Sequence, residues 1–338
     1  MRDFPQELID EILDQAAAQK SGFPGFSPGW SLKGKGVGTR GLVCRQWWPR
    51  SRMHLFSHVT LRPTTIQSFF DLVDTSQSPI LTFIASLDLR FAPDPRFLDE
   101  GQRTRFRECC QLTNLWIYLP NLELPGTDTT EFYSSVQLHA SSLGIVPSIS
   151  WFSMNFESIP LSVAVGVVSA FPALHTLRVS GLELVRVVIP QPHPLSVRIH
   201  TLEFGVRGEG VDGFFSYLLS LPDPPLLRNV DLDVGRADPD GAVVHYLRKS
   251  GSIIQHLTLE EIPLETSCAR LAIQYAINLQ DLYLIGEVVP LLDFVAAVSS
   301  HKLATFRIYQ ILWAEDVTPN PWSEIEAVLT ADSRFRGL

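Results

Sequence analysis

Residues 279–284 read Leu-Gln-Asp-Leu-Tyr-Leu, and this stretch shows most clearly the pattern that decides the fold. An apolar residue is followed by two spacers, a second apolar residue, one spacer and a third apolar residue. The last two apolar residues alternate with polar ones, which is typical of a strand with one buried face. The first apolar residue precedes the strand and closes the turn before it. The stretch therefore predicts one short, half-buried strand.

The same pattern recurs along most of the chain at a nearly constant spacing. Successive copies are 28, 37, 25, 25, 28, 27, 25 and 24 residues apart, and all steps but the second lie within the roughly 20–29 residues of a leucine-rich repeat. Each copy predicts one strand of a repeated unit. The copies, of which the first and third are weaker, begin at Ile84, Leu112, Ile149, Leu174, Ile199, Leu227, Ile254, Leu279 and Leu303.

Candidate helices lie between several of these strands, since apolar residues recur at helical spacing over 213–220, 240–250, 265–277 and 288–299. A single strand and helix cannot bury their apolar faces alone, so neighbouring units must stack. The sequence thus predicts an α/β fold, an irregular leucine-rich-repeat solenoid with a curved parallel sheet. A doubly wound α/β sheet with unequal connections is the alternative.

The repeats depart from the usual leucine-rich pattern in two ways. The ninth position, usually Asn or Cys in that family, holds other residues here, and the 37-residue step contains Pro125-Gly126, which predicts an insertion loop. The solenoid is therefore expected to be irregular. The ninth positions are Pro120, Leu182, Arg207, Gly235 and Glu287.

The N-terminal segment carries a second kind of pattern. Residues 4–14 place apolar side chains on one face of a predicted helix with Pro in its first turn, and residues 42–48 read Leu-Val-Cys-Arg-Gln-Trp-Trp. With the Pro-Arg-Ser-Arg run at 49–52, this segment resembles the F-box of fungal F-box proteins. The resemblance implies that nine residues face the Skp-type adaptor of a cullin ubiquitin ligase: Phe4, Pro5, Leu8, Ile9, Ile12, Leu13, Leu42, Val43 and Trp47.

The resemblance divides the chain into an F-box-like helical segment over 1–60 and the repeat region over 61–338. A Gly-rich loop over 21–41 interrupts the first segment where the family has a helix, because each glycine inside a helix costs about 1 kcal/mol. Two alternatives stay open: the N-terminal helices only cap the first repeat, or the F-box has decayed and the protein is a binding scaffold.

The Gly-rich loop also contains two near matches to phosphate-binding motifs. Residues 29–36 nearly match the P-loop, but Gly36 stands where the motif needs a hydroxyl, and residues 36–41 match G-x-G-x-x-G without a preceding strand. A nucleotide-binding enzyme is therefore only a remote alternative. Since no catalytic or metal-ligand spacing is found either, we expect no enzyme activity, no cofactor and no metal.

The composition of the chain disfavours several classes of binding partner. The 36 acidic residues outnumber the 27 Lys and Arg residues, for a net charge of −9, which disfavours nucleic acids and anionic membranes. The four cysteines lack the spacing of a zinc site or a disulfide framework. No apolar signal core or membrane-spanning stretch is found. We expect free thiols and a cytoplasmic or nuclear protein.

The polar positions of the strands give the candidate target site, because side chains between the buried ones point to the opposite face. Aromatic and charged side chains together are typical of protein-binding surfaces, although a plain solvated face is the alternative. The acidic members predict a target with a basic surface. The candidate residues are Trp116, Tyr118, Trp151, Arg178, Glu203, Asp231, Asp233, Glu260, Asp281, Tyr283, Arg307 and Tyr309.

These observations together predict the substrate-recognition subunit of a Skp–cullin–F-box ubiquitin ligase, with the adaptor on the N-terminal segment and the target on the concave face. They also predict which side chains are buried. The residues at 177, 202, 230, 257, 282 and 306 should form a buried column, and those at 178, 203, 231, 258, 283 and 307 an exposed row beside it.

Overall fold

The computed structural model describes residues 48–76, 79–91, 98–119, 129–144, 146–185, 195, 198–206, 210–233, 241–262, 267–286, 297–310 and 330. Ten strands and eight α-helices lie within these ranges. All nine residues expected to face the adaptor, the Gly-rich loop and most of the candidate helix at 288–299 fall outside them. Nothing in the structure therefore bears on the F-box resemblance.

The strands follow the pattern in the sequence, one strand for each copy and one more before the first copy. Most are four to seven residues long, whereas β4 and β5 each have ten. They are β1 (His58–Leu61), β2 (Ser86–Arg90), β3 (Asn114–Tyr118), β4 (Trp151–Pro160), β5 (Thr176–Val185), β6 (Thr201–Val206), β7 (Asn229–Asp233), β8 (His256–Ile262), β9 (Asp281–Gly286) and β10 (Thr305–Gln310).

The helices lie in the connections between strands. Three short 3-10 helices, at Ile80–Phe83, Phe106–Glu108 and Gly251–Ile253, accompany them. The α-helices are α1 (Trp48–Phe56), α2 (Ile66–Thr75), α3 (Glu100–Arg105), α4 (Thr129–Leu143), α5 (Leu161–Ser169), α6 (Gly210–Ser220), α7 (Ala242–Ser250) and α8 (Ser267–Tyr275).

The ten strands form one parallel sheet in which each strand pairs with the next one in the chain, from β1 to β10. The order of the described strands never reverses, whereas a doubly wound sheet reverses at its switch point. The register is equally regular. Leu177, Leu202, Val230, Leu257 and Leu282 are paired in sequence across β5 to β9. The prediction of an α/β fold with a parallel sheet is confirmed.

The first apolar residue of each copy is buried just before its strand, with at most 8% of its surface exposed in all nine copies. In six copies its backbone N–H donates to the carbonyl three residues earlier, as Leu112 does to Cys109 and Leu279 to Ala276. This bond closes a turn that leads into the strand. The recurring leucine or isoleucine is therefore the anchor of a repeated turn, as the pattern predicts.

The core is formed by the apolar face of the sheet and by helices packed on it. Helix α5 is almost wholly apolar and buried, and Phe171 after it stacks on Phe152 of β4 with ring centroids 4.8 Å apart. Further along, Phe214 of α6 stacks on Phe204 of β6 at 4.7 Å. One hydrophobic cluster contains residues of strands β1 to β9 and of six helices, α2 and α4 to α8, and Phe306 of β10 packs against it. Neighbouring units thus share a continuous core.

The predicted helices at 213–220, 240–250 and 265–277 correspond to α6, α7 and α8 with small differences at their ends. The expectation for the 37-residue step was incomplete, because its second half contains the 15-residue helix α4. Phe132, Val136, Ala140 and Leu143 are buried along one side of this helix. That spacing is helical, so the insertion is not only a loop.

Two further expectations concern thiols and membranes. Of the described cysteines, Cys109 is buried and Cys110 exposed, and both are free thiols. Burial, with smaller contributions from Glu108 and Cys110, raises the pKa of Cys109 to about 12, so its thiol is unreactive at neutral pH. No helix in the described ranges is long and apolar enough to cross a membrane.

Candidate binding face

The two faces of the sheet differ sharply in chemistry. Residues at one position of successive strands are buried, including Leu177, Leu202 and Leu257, each at most 1% exposed. The next residue along each strand points to the other side, which we call the polar face. Its central row is paired in register and consists of Thr60, Asp88, Trp116, Ser153, Arg178, Glu203, Asp231, Thr258, Tyr283 and Arg307.

The predicted buried column and exposed row are confirmed as opposite faces, with one refinement. Phe306 in the last strand is only partly buried. In the row, Arg178 and Arg307 are exposed, while Glu203, Asp231 and Tyr283 are half-buried. Strands lie about 4.8 Å apart, so long neighbouring side chains shield one another. The polar face is a packed surface whose side chains contact each other.

Aromatic rings dominate the polar face at strands β1 to β4. The rings of Trp116 and Trp151 are tilted against each other with centroids 4.6 Å apart. His58 makes an edge contact with Trp116 at 5.5 Å. Tyr118 lies on the same face as Trp116, two residues along β3, and the guanidinium of Arg90 lies 4.9 Å from its ring centroid. Such rings favour contact with a partner's side chains.

Asp88 lies among these rings and is the most buried acid of the polar face, with 5% exposure. Its Oδ2 accepts a hydrogen bond of 2.7 Å from the hydroxyl of Thr60. Arg90 donates to the same oxygen from Nε and from a terminal nitrogen, both at 3.3 Å. The other oxygen, Oδ1, is buried and has no hydrogen-bond partner among the described residues.

Acidic side chains crowd the middle of the polar face at strands β6 to β8. The guanidinium of Arg178 pairs with Glu203 at 3.4 Å. Burial, together with the charges of Glu260 and Glu203 and against the opposing effect of Arg178, raises the pKa of Asp231 to about 7. Carboxylates that cannot all be solvated are stabilised by an added positive charge. This part of the face therefore favours a basic ligand.

The last strands carry a mixed set of side chains. The imidazole Nδ1 of His256 contacts the carboxylate of Asp281, and the guanidinium of Arg307 lies 5.5 Å from the ring centroid of Tyr283. These three charged side chains therefore already have partners within the chain.

The structure brings the predicted target-site residues onto one face in two main clusters. Trp116, Tyr118 and Trp151 are grouped on β3 and β4, while Arg178, Glu203, Asp231, Asp233 and Glu260 lie on β5 to β8. Asp281, Tyr283 and Arg307 lie farther along on β9 and β10. The backbone of Tyr309 pairs with Ile285, but its side chain lies outside the described part.

Strand β1 contributes His58 and Thr60, which the repeat search missed. The signal was present, because residues 56–61 read Phe-Ser-His-Val-Thr-Leu and match the pattern one 28-residue step before Ile84. Phenylalanine instead of leucine or isoleucine at the first position concealed it.

No protein-family model matches the chain, and no curated protein matches it. Within the described ranges, no group of three or more His, Cys, Asp and Glu side chains is placed to hold a metal ion.

Proposed function

We propose that this chain is a protein-binding receptor, and specifically the substrate-recognition subunit of a Skp–cullin–F-box type ubiquitin ligase. In this proposal the ten-stranded sheet is the strand layer of an irregular leucine-rich-repeat solenoid. The N-terminal segment binds the adaptor and the polar face binds the target protein.

The observation that carries the proposal is the continuous polar face. It extends over ten consecutive strands. Aromatic and charged side chains lie on it, and the opposite face of the sheet carries the apolar column, which is buried except for the partly buried Phe306. A rigid sheet that presents aromatic and charged side chains in fixed register suits recognition of another protein. The acids at β6 to β8 favour a target with a basic surface.

The ubiquitin-ligase part of the proposal rests on the sequence of residues 4–14 and 42–52. The resemblance places Leu8 and Ile12 one helical turn apart on a single apolar face. An apolar helix face of this kind docks in a hydrophobic groove, where an introduced charge is costly because it is buried without a partner.

Co-expression of the full chain with a Skp-type adaptor tests the proposal. We expect a stable complex that survives purification and that Leu8→Asp or Ile12→Asp disrupts. Leu138→Asp is the matched control, because Leu138 is 51% exposed on helix α4. The same leucine-to-aspartate change there should leave the complex intact.

Two outcomes would contradict the receptor proposal. One is that the wild-type chain never co-purifies with the adaptor, which would leave a binding scaffold with a decayed F-box. The other is that Leu138→Asp abolishes the complex as fully as Leu8→Asp does.

A further inference from the structure

Asp88 lies on β2 between the aromatic residues of β1 and β3, and only 5% of its surface is exposed. His58 lies on β1 and Trp116 on β3, with β2 between them. At about 4.8 Å per strand, these backbones are roughly 10 Å apart, yet the ring centroids are 5.5 Å apart. The two rings therefore lean towards each other over β2. Asp88 is on β2 and is paired in register with Trp116, so we infer that these rings contribute to its burial.

The two oxygens of this carboxylate are in different situations. Oδ2 is fully engaged by Thr60 and Arg90. Oδ1 is buried but accepts no hydrogen bond within the described residues. A buried acceptor without a donor is destabilising, because it has lost its hydrogen bonds to water. A ligand that brings an N–H group to Oδ1 would recover that free energy.

The aromatic rings near Asp88 restrict the chemical class of ligand that would fit there. Trp116 and Trp151 are both half-buried, with centroids 4.6 Å apart, and tryptophan faces attract cations. Arg90 shows the same preference within the chain, because its guanidinium contacts both the Asp88 carboxylate and the Tyr118 ring. The cluster therefore suits a cation that also carries N–H donors.

We propose that Asp88, Trp116 and Trp151 form a subsite for an arginine side chain of the target protein. The guanidinium donates to Asp88 Oδ1 and stacks on the tryptophan rings, and entry requires the Trp116 and His58 rings to part. Arginine fits better than lysine because its planar, weakly hydrated head group stacks on aromatic faces. This proposal rests on the proposed receptor function, since the arginine belongs to the basic surface of the target protein.

Charge complementarity along the sheet favours a protein as the source of this arginine. The chain carries a net charge of −9, and the acids Glu203, Asp231 and Glu260 lie on the same face. A basic segment of a protein is attracted to both places, whereas a nucleic acid backbone is repelled.

The test uses the full chain and two short peptides, acetyl-Gly-Arg-Gly-amide and its neutral citrulline analogue. The readout is the set of indole N–H signals in a ¹H–¹⁵N spectrum, with two signals assigned through Trp116→Phe and Trp151→Phe. We expect the arginine peptide to shift both signals saturably. The citrulline peptide, which lacks the charge, should bind at least about tenfold more weakly.

Matched variants locate the binding. Asp88→Asn keeps an oxygen for the Thr60 hydroxyl but removes the charge, and should weaken binding by about tenfold or more. Trp151→Leu leaves the Asp88 hydrogen bonds in place and should also weaken it. Asp71→Asn makes the same change on the exposed side of helix α2, which packs on the apolar face of the sheet, and should change the dissociation constant less than about twofold.

The proposal is overturned if the arginine peptide shifts neither signal, which would mean that water fills the position at Oδ1. Equal binding of the two peptides, or unchanged binding by a folded Asp88→Asn chain, would also overturn it. None of these outcomes depends on the adaptor. A chain that fails to co-purify with the adaptor but binds the peptide would refute only the ubiquitin-ligase proposal.

Discussion

Replacing Asp231 by asparagine should stabilise the protein at alkaline pH and not at acid pH. The pKa of Asp231 is raised from 3.8 to about 7, first by burial and then by Glu260 and Glu203. The folded state therefore holds this proton more tightly than the unfolded state. Wild-type stability should fall as the pH rises from about 4 to about 7, and the full penalty should persist above that range.

The size of the effect follows from the shift. About three pKa units at roughly 1.4 kcal/mol each give an upper limit of about 4 kcal/mol. Asp231 is half-buried, and solvent screens its neighbours' charges, so we expect about 1–2 kcal/mol at pH near 8. Near pH 4 the two chains should differ by less than about 0.5 kcal/mol.

Urea unfolding of the wild-type and Asp231→Asn chains at both pH values measures this difference. Asp71→Asn is the control, because Asp71 is exposed on helix α2 and its hydrogen bond from Gln67 can be kept by asparagine. That variant should change the free energy of unfolding by less than about 0.5 kcal/mol at pH near 8, because surface substitutions of this kind have small effects. Greater destabilisation near pH 8 than near pH 4 would mean that attraction by Arg178 outweighs burial, and an equal effect at both pH values would mean that the pKa of Asp231 is not raised. Either result would refute the reasoning.

Three further predictions concern the core and its histidine. Leu257→Ala should cost about 2–5 kcal/mol in urea unfolding, because Leu257 is fully buried, whereas Thr258→Ala on the polar face should change stability little. Gly144→Ala should cost about 1–3 kcal/mol, since its new Cβ would lie 2.0 Å from a backbone oxygen, while Gly205→Ala meets nothing within 4 Å and should be neutral. Burial lowers the pKa of His139 below its usual 6.5, so stability should fall as the pH drops below about 6.5; an NMR titration that gives this ring a pKa above 6.5 would contradict the burial argument.

The sheet could be predicted because its signal is local and repeated. The first apolar residue of each copy marks the turn before a strand and so indicates where that strand begins. For this reason the sequence predicts nine of the ten strands and their order. Helix α4 was missed although Phe132, Val136, Ala140 and Leu143 have helical spacing, because Pro125-Gly126 before it indicated a loop. The extension of β4 and β5 to ten residues was also missed, since their later pairs, such as Ser158 with Glu183, lie beyond the repeated pattern.

The candidate site could be predicted only in part. Alternation along a strand tells which side chains share a face, so the polar face was predictable. Contacts within that face depend on side-chain rotamers and on neighbours far apart in sequence. Trp116 reaches His58 across an intervening strand, and Asp88 on that strand is buried. No pattern within one repeat specifies such a contact.

The distribution of charge on the polar face determines where a ligand gains most binding free energy. Charges already matched within the chain, such as Arg178 with Glu203, offer a ligand little, because a new contact must replace an existing one. Two groups are not matched in this way. Asp88 Oδ1 is a buried acceptor without a donor, and Asp231 is a carboxylate with a raised pKa. They lie in the same row on β2 and β7, five strand steps or about 24 Å apart along the sheet. An extended segment of about seven residues covers that distance. A target segment with a basic side chain at each end would therefore bring an N–H donor to Asp88 Oδ1 and a positive charge to Asp231 at the same time.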